Sequence, residues 1–300
     1  VTPALEGSGG TGSSRILVAL GGNALTAEGD AGPDAQRRAA ERAMKQVAEL
    51  VAAGNEVAIT HGNGPQVGNL LLKNEIARHA VPPVPLDWCV AQTQATIGYL
   101  IMTALERELA VRRIGSALAV LLTRVLVDPA DPAWEHPSKP IGQSNRRLVP
   151  SPEPVEILDR DAVVRLLDDG AIVVAAGGGG IPMIRENGGI RGVEAVVDKD
   201  LCGALLARAI GADRMLIATD VRAAATGFGG DDPEWIDSIS SDRLRELIDA
   251  GEFGAGSMLP KVEACARFVE GGGEEATICH LGELDRALAG AAGTTVKAGT

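Results

Sequence analysis

Aromatic side chains make up only 2% of this 300-residue chain. That scarcity removes the stacking platforms that single-stranded nucleic acid needs and leaves Leu, Val, Ile and Ala to build the core. The four cysteines, Cys89, Cys202, Cys265 and Cys279, lie far apart with no C-x-x-C pair, and the four histidines form no ligand-spaced cluster. Reduced, mostly buried thiols and no protein metal site are therefore expected. No uninterrupted apolar run is long enough to span a bilayer, and no basic segment leads into an apolar signal core. The expectation is a soluble, cytoplasmic protein. Positive charge is short as well. With a net charge of −12 and a pI near 4.9, most of the surface repels a polyanion such as DNA, and a small anionic substrate needs locally gathered cations. Lysine is the scarcer of the two strong bases, with six lysines among the 28 lysines and arginines.

Glycine is plentiful, and its placement carries information. Gly21-Gly22-Asn23-Ala24, the stretch Thr60-His61-Gly62-Asn63-Gly64-Pro65-Gln66-Val67-Gly68, and Gly177-Gly178-Gly179-Gly180-Ile181-Pro182 each follow an apolar run. Glycine lets the backbone approach a ligand closely and adopt positive φ, and a helix that follows offers unpaired N–H groups to an anion. One such loop is as often a tight turn as a binding site. Three strand exits of this kind in one sheet point to one shared oxyanion site.

Apolar runs at 15–20, 56–60, 117–123, 171–176, 213–219 and 276–280 read as buried strands. Helical patterns fall at 33–53, 87–110, 159–168, 199–210, 241–250 and 261–271. Non-alternating strands that alternate with helices predict a mainly parallel sheet covered on both faces, a three-layer α/β/α sandwich, with ligands beyond the carboxyl ends of the strands. Residues 1–14 read as a flexible leader and 15–300 as one domain. The proline-rich segment 127–154 can be neither a regular helix nor a central strand, and is expected as a surface excursion near the site. No internal repeat is visible.

Three of the six lysines stand in conspicuous settings: Lys139 in Pro-Ser-Lys-Pro, Lys199 in Asp-Lys-Asp, and Lys261 in Gly-Ser-Met-Leu-Pro-Lys. A compact, mobile ammonium suits a phosphoryl group in transit better than a rigid guanidinium fork. Asp198 and Asp200 stand at a helix start, where carboxylates cap N–H groups; the alternative is that Asp200 orients Lys199 or the metal-bound nucleotide.

Taken in order, these motifs resemble the amino acid kinase superfamily and, within it, the carbamate kinases. The resemblance runs from about Arg15 to near the C-terminus. It rests on Ala19–Ala24, His61–Asn69, Val127–Asp131 with Lys139-Pro-Ile-Gly142, Val149–Pro152, Gly177–Pro182, Gly192–Asp200 and Gly256–Lys261. It implies a homodimer that interconverts ATP plus carbamate with ADP plus carbamoyl phosphate, uses Mg²⁺, works toward ATP, and serves the breakdown of arginine or purine nitrogen. By matching position, Lys139, Lys199 and Lys261 would stabilise the transferred group, and Asp200 would organise the lysines. Gly21, Gly22, Asn23, Gly62, Asn63, Gly178 and Gly179 would hold acceptor and phosphoryl oxygens. Residues 15–212 would form the acceptor lobe, and 213–300 the nucleotide lobe, with Thr219, Asp220, Val221, Ser257, Met258 and Lys261 at the nucleotide.

Two departures stand out. Only Gln143–Leu148 separates Lys-Pro-Ile-Gly from Val-Pro-Ser-Pro, where the family carries a long insertion, so its protruding lid is expected to be mostly absent. Thr219-Asp220-Val221-Arg222 stands where the family has Thr-Gly-Val-Asp. A kinase of the same fold with another small carboxylate or phosphate acceptor, or a noncatalytic nucleotide-binding homologue, are the alternatives. A dinucleotide-binding oxidoreductase ranks below them because no G-x-G-x-x-G follows the first strand.

Overall fold

A computed structural model of the chain describes residues 13–22, 32–141, 147–228, 233–254 and 258–299. In chain order its strands are β1 (Arg15–Leu20), β2 (Glu56–His61), β3 (Leu118–Val120), β4 (Arg124–Val127), β5 (Lys139–Ile141), β6 (Arg147–Val149), β7 (Pro154–Ile157), β8 (Ile172–Val174), β9 (Ile181–Glu186), β10 (Gly189–Gly192), β11 (Arg214–Thr219), β12 (Ala225–Thr226), β13 (Glu234–Trp235), β14 (Ser238–Ser240), β15 (Glu275–His280) and β16 (Thr294–Lys297). The helices are α1 (Pro33–Ala52), α2 (Gly64–Ala77), α3 (Leu86–Arg112), α4 (Arg160–Asp168), α5 (Lys199–Ala209), α6 (Ser241–Asp249), α7 (Met258–Glu270) and α8 (Leu284–Leu288).

The residues of β1 explain the architecture. Ile16, Val18 and Leu20 belong to one apolar cluster, Leu17 and Ala19 to another, and all five are fully buried. Successive side chains leave opposite faces of a strand, so a strand apolar at every position needs cover on both sides. The same alternation recurs in β2, β8 and β11. Ala43, Met44 and Val47 of α1 and Ile97, Ile101 and Leu105 of α3 cover one face. Leu206 of α5 and Val262, Cys265 and Phe268 of α7 cover the other. The expected three-layer α/β/α sandwich is therefore present. Its eight-stranded sheet runs β14-β16-β15-β11-β1-β2-β8-β3, and all its pairs are parallel except β15 with β16. Because β11 pairs directly with β1, the segments before and after residue 213 share one sheet.

Most elements lie within a few residues of their sequence-based positions. The run at 117–123 yields only Leu118–Val120 as strand, and the run at 171–176 stops at Val174, because both chains leave the sheet to build the site. A second sheet, ordered β10-β9-β4-β7, was not anticipated. It adds Val125, Val127, Ile157 and Ile184 to the core over α5. Between β4 and β7, the proline-rich excursion folds into a 3₁₀ turn at Pro132–Trp134 and the antiparallel hairpin β5–β6. All four cysteines are buried and unpaired. Among the described residues no helix is long and apolar enough to cross a membrane. Of the expected leader, Ser13 and Ser14 alone are described; Ser13 Oγ donates to the Gly54 carbonyl.

Candidate active site

The carboxyl ends of β11, β1, β2 and β8 are neighbours in the sheet. Thr219, Gly21, Gly62 and Gly177 therefore emerge side by side, as the three glycine-rich exits predicted. The Gly21 N–H donates to the Ala218 carbonyl at 2.8 Å, and the Gly62 N–H to the Leu20 carbonyl at 3.0 Å. The exits pack so closely that a Cβ on Gly62 would lie 2.8 Å from backbone atoms of Gly22. Gly178 has φ +66°, and a Cβ there would lie 2.0 Å from the Asn63 side chain. Beyond these exits opens a cavity of about 510 Å³.

Its floor rests on buried polar side chains that the motifs did not reveal. The Gln94 side-chain amide on α3 donates to the Thr123 carbonyl at 3.2 Å and the Gly177 carbonyl at 3.0 Å, and its oxygen accepts from the Thr123 N–H at 2.8 Å. Thr123 Oγ1 accepts from the Ala176 N–H at 2.9 Å, which helps to hold Ala176 at the left-handed φ of 51° where the glycine turn begins. Asn63 donates to Thr93 Oγ1 at 2.9 Å. α2 starts at Gly64 with Asn63 as its flanking residue, so its unpaired first-turn N–H groups belong to this end of the cavity.

His61 lies beneath the floor. Burial, reinforced by the Lys199 ammonium and opposed by the hydrogen bond to Gly62, pulls its imidazole down to about 4. The ring is thus neutral at pH 7, and because a carbonyl only accepts, Nδ1–H donates to the Gly62 oxygen at 3.1 Å.

The charged side chains converge over this floor. Lys199 and Lys261 share Asp200: Lys199 Nζ meets Oδ1, and Lys261 Nζ meets Oδ2 at 3.0 Å. Lys139, from β5, pairs instead with Asp198 Oδ2. Asp200 therefore organises two of the lysines and not the third. Asp198 also fulfils the capping alternative, since its Oδ1 accepts from the Asp200 N–H at 2.8 Å and the Leu201 N–H at 3.3 Å. Burial alone would raise the Asp200 carboxyl, yet the two ammonium groups hold it near 2. Burial, with Lys261 adding repulsion, lowers Lys199 from the ordinary lysine value even though Asp200 opposes the shift.

Of the expected site residues, Gly21, Gly22, Gly62, Asn63, Gly178, Lys139, Lys199, Asp200, Thr219, Asp220, Val221, Met258 and Lys261 all line the cavity. Gly179 does not. It faces the Val197 carbonyl, which a Cβ would approach to 2.3 Å, so its part is in packing the turn. Asn23 and Ser257 fall outside the described residues. The cavity lining also holds Phe228 and Phe253, which sequence reasoning passed over. Phe228 is 68% exposed and meets Trp235 edge-on at 6.4 Å. The Arg222 guanidinium lies 4.2 Å above the Trp235 ring, a cation–π contact beside the same rim.

Residues 14–280 match the model of the amino acid kinase family. A carbamate kinase from Pyrococcus horikoshii is 41% identical over 94% of this chain and 98% of its own length. A carbamate kinase-like protein from Escherichia coli is 40% identical over 95% of this chain and 99% of its own. Among solved structures, the carbamate kinase from Giardia lamblia bound to AMP-PNP superposes with a TM-score of 0.92 at 34% identity, over 96% of this chain and 99% of that one. With the fold, the three glycine exits and these relatives in agreement, the chain belongs to the amino acid kinase family.

Proposed function

We propose that this chain interconverts ATP plus carbamate with ADP plus carbamoyl phosphate by direct in-line phosphoryl transfer. The observation that carries the reading is the pair of carboxylates, Asp198 and Asp200, holding three lysine ammonium groups over a floor of glycine-rich strand exits. The names of the relatives supply the acceptor. In the direction of ATP synthesis, a β-phosphate oxygen of MgADP attacks the phosphorus of carbamoyl phosphate, the bond from phosphorus to the carbamate oxygen breaks, and carbamate leaves. A loose transition state spreads negative charge over the equatorial oxygens, where Lys139, Lys199, Lys261 and the amides of the glycine turns stabilise it, apart from those of Gly21 and Gly62, which the Ala218 and Leu20 carbonyls hold. No covalent enzyme intermediate is required. Residues from 213 onward supply the nucleotide end, with Val221, Phe228 and Met258 as its apolar lining.

Mg²⁺ enters as part of the nucleotide substrate. Asp198 and Asp200 already face ammonium groups, so these carboxylates suit the ordering of lysines rather than a resident ion. Such an enzyme works where ATP is, in the cytoplasm. We also infer a homodimer. Trp88 and Tyr99, three turns apart on α3, are 58% and 57% exposed and are large side chains that such a contact would cover. Sedimentation at the mass of a single chain would remove that inference.

The test is ATP formation from carbamoyl phosphate and MgADP, with Lys199→Ala as the control. Loss of one such cationic donor is expected to lower kcat by about 10²–10³, with a far smaller change in KM. A folded, ADP-binding protein with no turnover would favour a second reading, a kinase of another small acceptor. That reading draws on the short β5–β6 hairpin and on the alignment with the Pyrococcus enzyme, whose 309 positions exceed the 300 residues of this chain. The relative thus has residues where this chain has none.

A further inference from the structure

The hairpin that delivers Lys139 is built into the core. Ile141 on β5 and Val149 on β6 are buried in an apolar cluster with Val67 of α2, Leu86 and Val90 of α3, and Val196. Residues i and i+2 of a strand leave the same face, so the anchoring of Ile141 sends the stem of Lys139 toward the same side. Even so, the Lys139 side chain is 37% exposed, against 14% for Lys199 and 13% for Lys261. Burial holds the other two ammonium groups in place. For Lys139 the hairpin fixes only the root of a flexible four-carbon stem.

Asp198 supplies the missing constraint. One carboxylate oxygen is committed to the first N–H groups of α5, the helix that begins with Lys199 and Asp200, and the other meets the Lys139 ammonium. We propose that Asp198 is a positioning residue for Lys139: it latches the short hairpin to the start of α5 and holds the third ammonium over the transfer point without a larger lid. Two contributions make the latch effective. The Asp198 side chain is only 11% exposed, so water competes weakly for the pair. The cap bonds fix the carboxylate before substrate arrives, so Lys139 is ordered on folding rather than on each turnover. The inference rests on the phosphoryl-transfer reading above for its kinetic consequence, and on geometry alone for the latch.

Asp198→Asn separates the two tasks, because asparagine keeps a cap oxygen and loses the charge that Lys139 meets. The melting temperature is expected to stay close to that of the unaltered protein. kcat for ATP synthesis is expected to fall about 10- to 100-fold, with KM for MgADP within about threefold. Lys139→Ala is expected to cost about 10²–10³, and the double variant no more than about threefold beyond Lys139→Ala alone, because Asp198 acts through Lys139. Double-variant losses that equal the product of the single losses, or a full rate in Asp198→Asn, would overturn the proposal. A second readout is independent of turnover: acylation of the Lys139 amine by a small reagent, followed by peptide mass spectrometry. Labelling several-fold faster in Asp198→Asn is expected, and equal labelling overturns the latch. If the unaltered protein made no ATP while Asp198 still protected Lys139, the acceptor assignment would fall and the latch would stand.

Discussion

The two ends of the cavity are built on different principles. At the floor, backbone at the ends of β1, β2 and β8 forms the surface, and buried side chains, Gln94, Thr93, Thr123 and His61, support it from below. At the rim, exposed Phe228 meets Trp235 of β13 edge-on, and the Arg222 guanidinium lies over the Trp235 ring. The contrast teaches where each kind of tolerance lies. A floor of backbone amides has no side chain to exchange, so it changes only when its hidden supports change. An aromatic rim has its binding surface in replaceable side chains and its stability elsewhere.

The strongest way to break this contrast is Gln94→Leu. The substitution orphans the buried Thr123 N–H and takes one donor each from the Thr123 and Gly177 carbonyls, which keep the Ile181 and Gly180 N–H groups; at about 1–3 kcal/mol for the unsatisfied group and about 0.5–1.5 kcal/mol for each other lost bond, the expected loss is about 2–4 kcal/mol. Urea denaturation measures it. A loss below about 1 kcal/mol would mean that the floor is held by other contacts.

His61 sharpens the same end through pH. Its folded-state value of about 4 lies below the unfolded value of 6.5. The unfolded chain therefore binds the extra proton first. Stability conferred by the neutral ring is complete above pH 6.5, declines as pH falls, and is gone below about 4, for a total near 3 kcal/mol. Unfolding free energies compared at pH 7 and pH 4.5 should decline less steeply in His61→Gln than in the unaltered protein. Parallel declines would show that the imidazole titrates freely.

The smallest effect belongs to the rim. Phe228→Ala is expected to raise KM for MgADP about fivefold, equivalent to about 1 kcal/mol of lost aromatic contact, with a smaller change in kcat and almost none in melting temperature. An equal fall in stability would erase the distinction between floor and rim.

Much of the glycine-rich floor was legible in the sequence because its chemistry is local. A strand, a glycine turn and a helix start follow one another in the chain, and six lysines are few enough for three to stand out. The supports were hidden for a physical reason. Gln94 lies within a helix beside Gln92, Thr93 and Thr96, and nothing in hydropathy says that its amide, rather than theirs, reaches two segments 29 and 83 residues away. Asp198 reads as a helix cap, which it is. Its partner Lys139 lies 59 residues earlier, across a hairpin whose docking depends on Ile141 and Val149. The second sheet was obscured because β4, β7 and β10 are only four residues each and flank proline-rich or turn-rich connections. Phe228 was missed because a single exposed aromatic carries no periodicity.

The pairing of β1 with β11 has a consequence for how the protein is made. Arg15–Leu20 lies near the start of the chain, and its parallel neighbour begins only at Arg214, so a very long loop must close before the centre of the sheet is complete. Closure over such a separation costs chain entropy that local contacts cannot offset, and parallel pairings of this kind form late. A nascent chain that has already released β1, β2 and α1 from the ribosome still lacks the strand that accepts Gly21 and carries Thr219 to the site. The phosphoryl-transfer pocket is then among the last features of the molecule to take shape, and fragments that end before Arg214 should neither hold nucleotide nor protect their central strand from proteolysis.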